Sequence, residues 1–236
     1  AQTAGRVAAI EIDRHLIPVL KQVLAAFPHC RVIHQDALKT DIGSLADGWS
    51  GETIVLGNLP YYITTALIEH VLCDLPMARR CVFMLQKEAA DRLLRGPGTK
   101  SYRPTTILLA LHGSSRCLFQ VSPEAFWPRP HIASTVILIE KADHAVDCPD
   151  SRLDGSFTSD RQTRWLFLRF LERCFRQRRK KLSHNLPCGM GLSPASLLEQ
   201  AGLEAAVRAE QVQPRQFYDL FMRLHQLDPS GRWIDA

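Results

Sequence analysis

The sequence has no apolar run that approaches the roughly 18 residues needed by a membrane-spanning helix. Residues 1–6 also lack the charged and then apolar layout of a signal peptide. The seven cysteines include no Cys-x-x-Cys pair and do not cluster, so the sequence predicts no metal site. Several cysteines lie within apolar runs, as Cys81 does, which favours buried, reduced thiols. We therefore expect a cytoplasmic globular protein that needs neither a membrane nor a metal as partner.

Positive charge is unevenly distributed along the 236 residues, although the net charge is only +5. Residues 1–150 carry fifteen Lys and Arg against fifteen Asp and Glu, whereas residues 151–236 carry fourteen against nine. The whole excess therefore lies in the C-terminal part. This asymmetry predicts a neutral body with a basic appendage that faces an anionic partner.

Short apolar segments alternate with helical patterns over residues 7–139. The predicted strands cover residues 7–12, 31–35, 53–57 and 80–85, with a closing pair at 116–121 and 135–139. The predicted helices cover residues 16–26, 66–72, 87–95 and 107–111. This alternation predicts an α/β fold with a mostly parallel sheet.

The chain changes character after residue 143. Residues 143–160 are polar and are predicted to form a linker. From residue 163 onward, apolar residues recur near the helical period, with a turn at 189–191 and further helices at 194–201 and 214–224. We therefore expect two domains, at residues 1–143 and 144–236.

Polar side chains lie at the carboxyl ends of three predicted strands, at Glu11, Asp36 and Asn58. Ligands of parallel sheets bind at the carboxyl ends of the strands, so these residues outline one candidate site. A carboxylate at Glu11 suits both hydroxyls of a ribose, and Asp36 could accept from the amine of a cofactor's adenine. Taken alone, either residue is equally consistent with a solvated acidic side chain.

Residues 58–61, Asn-Leu-Pro-Tyr, come directly after the third predicted strand. The N6 lone pair of adenine is delocalised into the ring, so a methylating site must accept hydrogen bonds from both N–H groups and align the lone pair. The Asn58 oxygen and a nearby backbone carbonyl can accept them, and Pro60 stiffens the turn because its φ is fixed. Tyr61 can stack on the base. The alternative interpretation is a plain strand-to-helix turn.

Two further segments carry candidate functional residues. Residues 126–130, Phe-Trp-Pro-Arg-Pro, precede the last predicted strand, and Phe126 could stack on an extruded base opposite Tyr61. The simpler interpretation places Phe126 in the core. Residues 176–181, Arg-Gln-Arg-Arg-Lys-Lys, are dense enough in charge to contact phosphates, the alternative being a solvated helix face.

Together these motifs resemble the ribosomal RNA adenine dimethyltransferase family of the kasugamycin-sensitivity type, over nearly the whole chain. The motifs that carry the resemblance lie at residues 11–13, 36–37, 57–63, 84–88, 126–130, 175–180 and 208–211. The resemblance implies a Rossmann-like S-adenosylmethionine-dependent methyltransferase domain followed by a helical, RNA-binding C-terminal domain. It also implies successive methyl transfers that form N6,N6-dimethyladenosine in small-subunit rRNA, and a monomer that acts on the assembling small ribosomal subunit.

The resemblance assigns roles by position. The residues expected to bind the cofactor S-adenosylmethionine are Glu11, Ile12, Asp36, Ala37 and Asn58. The residues expected around the target adenine are Asn58, Leu59, Pro60, Tyr61 and Phe126. The residues expected to contact RNA are Arg176, Arg178, Arg179, Lys180 and Lys181.

The sequence departs from the family in one respect. Family members begin with a basic segment, a first strand and a Gly-rich loop that contacts the cofactor, and no Gly-rich loop after a strand occurs here. The sequence is therefore interpreted as truncated before the strand that lies centrally in the family's sheet, where its loss would leave backbone groups unpaired. We expect this polypeptide to bind S-adenosylmethionine weakly or not at all.

Two other functions stay open at this point. A cofactor-free relative could dock on the small subunit during assembly, which the absent loop favours and the intact Asn-Leu-Pro-Tyr motif disfavours. A DNA adenine methyltransferase is disfavoured by the basic run and by the lack of any apparent DNA target-recognition domain.

Overall fold

Strands and helices alternate through the first part of the chain, as the apolar pattern predicts. The computed structural model describes residues 2–142, 160–187 and 192–234. The strands are β1 Val7–Glu11, β2 Cys30–His34, β3 Ile54–Asn58, β4 Arg80–Gln86, β5 Gly113–Val121 and β6 Ser134–Lys141. The helices are α1 Leu16–Val23, α2 Ile42–Leu45, α3 Thr64–Asp74, α4 Lys87–Leu93, α5 Pro104–His112, α6 Arg161–Phe175, α7 Pro194–Gln200 and α8 Pro214–Leu227.

The strands form two sheets. One holds β1 and β2 in parallel, and the other has the order β3-β4-β6-β5. In the second sheet β3 runs parallel to β4, whereas β6 is antiparallel to both of its neighbours. Within the described residues, β1 and β3 each have a strand partner on one side only. The parallel arrangement thus holds for β1 to β4, and β5 and β6 are the predicted closing pair.

One face of the larger sheet packs against the core, as the alternating burial of its residues shows. In β4, Cys81, Phe83 and Leu85 are buried while the residues between them are partly exposed, because successive side chains point to opposite faces. Strand β6 is buried along most of its length because it lies between β4 and β5. Helices α3 and α5 contact each other and supply Ile68 and Ile107 to the same core.

The C-terminal helices extend this core instead of forming a detached one. Helix α6 contacts α3, α5 and α8, and its N-cap is Asp160, whose carboxylate accepts from the Thr163 amide at 2.7 Å. The Arg164 side chain, only 2% exposed, donates to the Leu72 carbonyl at 2.7 Å. Buried aromatic rings of α6 and α8, including Phe167 and Phe221, pack edge to face.

Several element bounds differ from the prediction by two or three residues, as at the start of α5, and two differences are larger. Helix α2 was missed because it has only four residues, although Asp41 accepts from the Ser44 amide as a standard N-cap. Helix α6 ends at Phe175, so the interpretation of the basic run 176–181 as a helix face is wrong, because residues 176–179 form a turn and residues 180–181 are irregular. Most of the predicted linker and the 189–191 turn lie outside the described residues, so the domain boundary stays a prediction.

None of the helices within the described ranges is both long enough and apolar enough to cross a bilayer.

Candidate active site

The first two predicted acidic residues lie at the carboxyl ends of β1 and β2. Glu11 is the last residue of β1 and pairs with His34 at the end of β2, and Asp36 follows two residues later. Glu11 Oε1 accepts from the Asp13 amide at 2.9 Å, and Asp36 Oδ1 accepts from the Leu38 amide at 3.0 Å. Each carboxylate is therefore oriented by its own turn, while its second oxygen accepts no hydrogen bond within the described chain.

The Asn-Leu-Pro-Tyr segment forms a tight turn at the end of β3. Asn58 pairs with Met84 of β4, and the Leu59 amide donates to the Met84 carbonyl at 2.9 Å. The Leu59 side chain is buried, which anchors the turn to the core. The Pro60 carbonyl accepts from the Ile63 amide at 3.2 Å and from the Thr64 hydroxyl at 3.0 Å.

These bonds decide which acceptors of the turn stay available. The Pro60 carbonyl is occupied by the start of α3. The Asn58 side chain is exposed, and neither its amide nor the Leu59 carbonyl has a hydrogen-bond partner among the residues that the structure describes. The turn therefore presents one amide oxygen and one carbonyl oxygen that no protein donor occupies.

Gly57 lies within the motif at residues 57–63, but the sequence patterns predicted no role for it in the site. A Cβ atom at this position would lie 2.7 Å from Leu59 Cδ2 and 3.2 Å from Phe83 Cδ1. Glycine therefore leaves room for the Leu59 side chain to fold back into the core, and a larger residue would force that side chain to shift. The signal was present in the sequence, because a glycine inside an apolar strand often marks a close approach.

The second aromatic segment lies on the other side of β4. The Lys87 amide donates to the Ala133 carbonyl at 3.0 Å, and Ser134 at the start of β6 pairs with Gln86. The structure therefore brings the segment that contains Phe126 and the Asn-Leu-Pro-Tyr turn to the same end of β4. Phe126 is half-buried, so it is not the core residue of the simpler interpretation.

The aromatic loop is held by its own contacts. The Phe126 amide donates to the Pro123 carbonyl at 3.2 Å, and Arg129 forms an ion pair with Glu124. The peptide bond between Trp127 and Pro128 is cis. Tyr61, at 52% exposure, leaves half of its surface open to stack on a ligand.

The structure thus brings the predicted site residues together in two groups. Glu11 and Asp36, with the exposed Ile12 and the half-buried Ala37 beside them, belong to the sheet of β1 and β2. The target-base residues Asn58, Leu59, Pro60, Tyr61 and Phe126 belong to the β3-β4-β6-β5 sheet. No strand within the described ranges links the two sheets by hydrogen bonds.

The basic run divides into exposed and engaged side chains. Arg176, Arg179, Lys180 and Lys181 are exposed. Arg178 instead lies 3.1 Å from a Glu210 carboxylate oxygen and donates to the Lys100 carbonyl at 2.8 Å. The Arg178 guanidinium therefore links the 96–103 loop to Glu210 in the C-terminal part of the chain.

The cysteines follow the predicted pattern in part. Cys73, Cys81 and Cys174 are fully buried, and burial raises the pKa of the Cys81 thiol to about 12. Cys117 on β5 is exposed, contrary to the expectation for thiols in apolar runs. Among the residues with described positions, no three His, Cys, Asp or Glu side chains group closely enough to hold a metal ion.

Solved structures share this fold. A dimethyladenosine transferase from Plasmodium falciparum superimposes with a TM-score of 0.68 at 20% identity, covering 94% of this chain and 82% of that one. The 23S rRNA methyltransferase ErmE superimposes with a TM-score of 0.55 at 20% identity, covering 94% and 83% of the two chains. The fold is therefore the α/β, Rossmann-like fold that the sequence predicts.

Sequence relatives identify the family. The chain is 35% identical over 221 residues to the ribosomal RNA small subunit methyltransferase A of Desulfitobacterium hafniense, covering 92% of this chain and 73% of that relative. It is 36% identical over 202 residues to the protein of the same name from Alkaliphilus oremlandii, covering 85% of this chain and 66% of that relative. The family model described as ribosomal RNA adenine dimethylase matches residues 1–226. The chain therefore belongs to the ribosomal RNA adenine dimethylase family, a family of methyltransferases.

Proposed function

We propose that this protein transfers methyl groups from S-adenosylmethionine to the N6 amines of adenines in small-subunit rRNA, forming N6,N6-dimethyladenosine. The observation that carries the proposal is the turn after β3, where the Asn58 amide oxygen and the Leu59 carbonyl have no protein donor. Two adjacent acceptors match the two N–H groups of an adenine amine.

The turn acts by positioning and by electrostatics. When the two acceptors bind the N–H groups, the nitrogen is drawn toward tetrahedral geometry and its lone pair leaves conjugation with the ring. Positive charge develops on that nitrogen during transfer, and the two oxygens stabilise it without having to reorient. No covalent intermediate with the protein is needed. Tyr61 follows β3 and Phe126 precedes β6, the two neighbours of β4, so these rings are suited to hold the purine between them.

The carboxylates at the ends of β1 and β2 fit the cofactor. S-adenosylmethionine, when bound, supplies the electrophilic methyl group. Glu11 would accept from its ribose hydroxyls and Asp36 from its adenine amine, each through the oxygen that its own turn leaves unoccupied. Ile12 and Ala37, next to these carboxylates, would contact the cofactor's rings, and Asn58 would stand between cofactor and target.

The exposed basic side chains are suited to hold the RNA backbone. We assign phosphate contacts to Arg176, Arg179, Lys180 and Lys181, and a positioning role to Arg178, whose charge Glu210 already engages. Because the relatives are named as small-subunit rRNA methyltransferases, we further propose the assembling small subunit as the substrate. The enzyme would act there as a cytoplasmic monomer. The alternative of a non-catalytic assembly factor gains no support from these relatives.

The test is methyl transfer to undermethylated small subunits and, in parallel, to duplex DNA, with labelled S-adenosylmethionine at high concentration because weak binding of the cofactor is expected. We expect incorporation into rRNA alone, as dimethyladenosine. Asn58→Ala should lower the rate about 100-fold or more, because it removes one of the two acceptors. Gln226→Ala, an exposed amide on α8, is the matched control and should leave the rate unchanged. Equal rates for Asn58→Ala and the wild type would disprove the role of the turn.

A further inference from the structure

Two pairs of adjacent aromatic residues share one pattern of exposure. In the first pair Tyr61 is 52% exposed and Tyr62 is 86% exposed. In the second pair Phe126 is half-buried and Trp127 is 97% exposed, the highest value of any large hydrophobic side chain in the described ranges. In each pair the first ring is assigned to the target adenine, while the second projects into solvent. Single exposed apolar residues need no explanation, but this repetition beside one site does.

Both pairs lie at the same end of the larger sheet. One follows β3 and the other precedes β6, and these strands are the two neighbours of β4. Because neighbouring strands lie about 4.8 Å apart, the two segments leave the sheet roughly 10 Å from each other. The loop that carries Trp127 therefore leaves the sheet beside the position proposed for the target base.

The Phe126 and Trp127 side chains leave the backbone in opposite directions. Phe126 has φ −119° and ψ 147°, an extended conformation in which successive side chains point in opposite directions. If Phe126 faces the target base, Trp127 faces the RNA beyond that base. The pairing of Arg129 with Glu124 and the two prolines at 128 and 130 restrain the loop, so the backbone that carries the indole has little conformational freedom.

Methylation of an adenine amine exposes a neighbouring base on which the Trp127 ring can stack. An adenine whose amine enters the site must leave its stack, which exposes a face of the base beside it. Aromatic side chains stack on unstacked bases in single-stranded RNA whatever the base is. We infer that Trp127 stacks on the nucleobase next to the target adenine, a role that rests on the proposed function and favours RNA in which that neighbouring base is unstacked.

Fluorescence tests this inference directly. Of the other tryptophans, Trp49 is half-buried, Trp165 is 37% exposed and Trp233 is 2% exposed, so an added oligonucleotide should quench mainly Trp127. The probes are hexaadenylate and a ribose-phosphate hexamer of the same charge without bases. We expect quenching by hexaadenylate alone, and its loss in Trp127→Phe. Equal quenching by the abasic chain would overturn the inference.

Affinity gives a second measurement, by anisotropy of labelled hexaadenylate. Trp127→Ala should raise Kd roughly 5- to 150-fold, the range that corresponds to the loss of one stacked base. Trp127→Phe should retain most of the affinity because it keeps an aromatic face. Met77→Ala, an exposed apolar residue before the amino end of β4, is the matched control. Unchanged Kd for Trp127→Ala, with an unchanged unfolding midpoint, would refute the role.

Methyl transfer by the wild type, measured in parallel, separates this inference from the proposed function. If rRNA is methylated but Trp127→Ala changes neither Kd nor KM for rRNA, the inference fails and the proposed function stands. If no rRNA is methylated, the proposed function fails whatever the oligonucleotide result. If Trp127→Ala weakens binding to small subunits but not to hexaadenylate or protein-free rRNA, the ring contacts a ribosomal protein and the inference is overturned.

Discussion

The turn that presents Asn58 depends on Gly57, because glycine has no side chain to collide with Leu59. Gly57→Ala would place a methyl group 2.7 Å from Leu59 Cδ2 and 3.2 Å from Phe83 Cδ1, so the buried Leu59 side chain would have to shift and would disturb the turn. We expect the methyl-transfer rate to fall on the order of 10- to 100-fold, because small misplacements of a reacting group are costly. The free energy of unfolding should fall by about 1–3 kcal/mol.

Gly96→Ala provides the control for that substitution. A Cβ atom at Gly96 would meet no heavy atom within 4 Å, so this variant should match the wild type in rate and in stability. A Gly57→Ala variant with the wild-type rate, measured on the same rRNA substrate, would show that the position of Leu59 does not matter for catalysis.

His112 makes stability depend on pH. It is 3% exposed, and burial, assisted by the charges of Arg164 and Lys141, lowers its pKa from 6.5 to about 3. Below pH 6.5 the unfolded chain takes up a proton that the folded chain refuses. His112 therefore costs no free energy of unfolding above pH 6.5. As the pH drops from 6.5 toward 3, its titration lowers the free energy of unfolding by at most about 1.4 kcal/mol per pH unit.

Urea unfolding of wild type and His112→Gln at pH 8, 7, 6 and 5 checks this expectation. The wild type should lose stability relative to the variant as the pH falls, because glutamine takes up no proton. A difference between the two proteins that stays constant across this range would show that His112 does not titrate on unfolding.

At the scale of elements, Arg178 links the 96–103 loop to the C-terminal helices. Its guanidinium contacts Glu210 and the Lys100 carbonyl, while the Gly98 amide donates to the Glu210 carbonyl at 2.8 Å. Arg178→Ala should cost roughly 1–2 kcal/mol, since this ion pair is only partly buried. Amide hydrogen exchange in residues 96–103 should become faster.

Arg179→Ala is the matched control, one residue away and exposed. It should weaken RNA binding and leave exchange in the 96–103 loop unchanged. If Arg178→Ala also left that exchange unchanged and only weakened RNA binding, Arg178 would be a phosphate contact after all.

Most elements were predictable because their signals are local. The apolar strands, the helix periods and Pro194 or Pro214 at helix starts are all visible in the sequence. Helix α2 was missed because four residues carry no period, and the end of α6 at Phe175 was missed because the basic residues that follow are themselves good helix formers.

At the scale of the whole molecule, the excess of positive charge predicts salt-dependent RNA binding. Single alanine substitutions of Arg176, Arg179, Lys180 and Lys181 should each reduce the slope of log K against log salt concentration by about 0.7–0.9, the value for one lost phosphate contact. Lys21→Ala, an exposed cation on α1, should leave the slope unchanged. Slopes equal to that of the wild type in all four variants would place the RNA on another surface.

The sequence alone determined three features of this protein, because each depends on residues close together in the chain. They are the order of strands and helices, the acidic residues at two strand ends, and the Asn-Leu-Pro-Tyr segment at the end of a third strand. Tertiary structure decided which groups stay available. In the folded protein the Pro60 carbonyl accepts hydrogen bonds from the start of α3, whereas the Leu59 carbonyl accepts none within the described residues. Arg178 contacts Lys100 and Glu210, and the Trp127 side chain is exposed. Arg178 meets Lys100 across 78 positions of the chain, and no local pattern records a contact formed only when distant segments pack together.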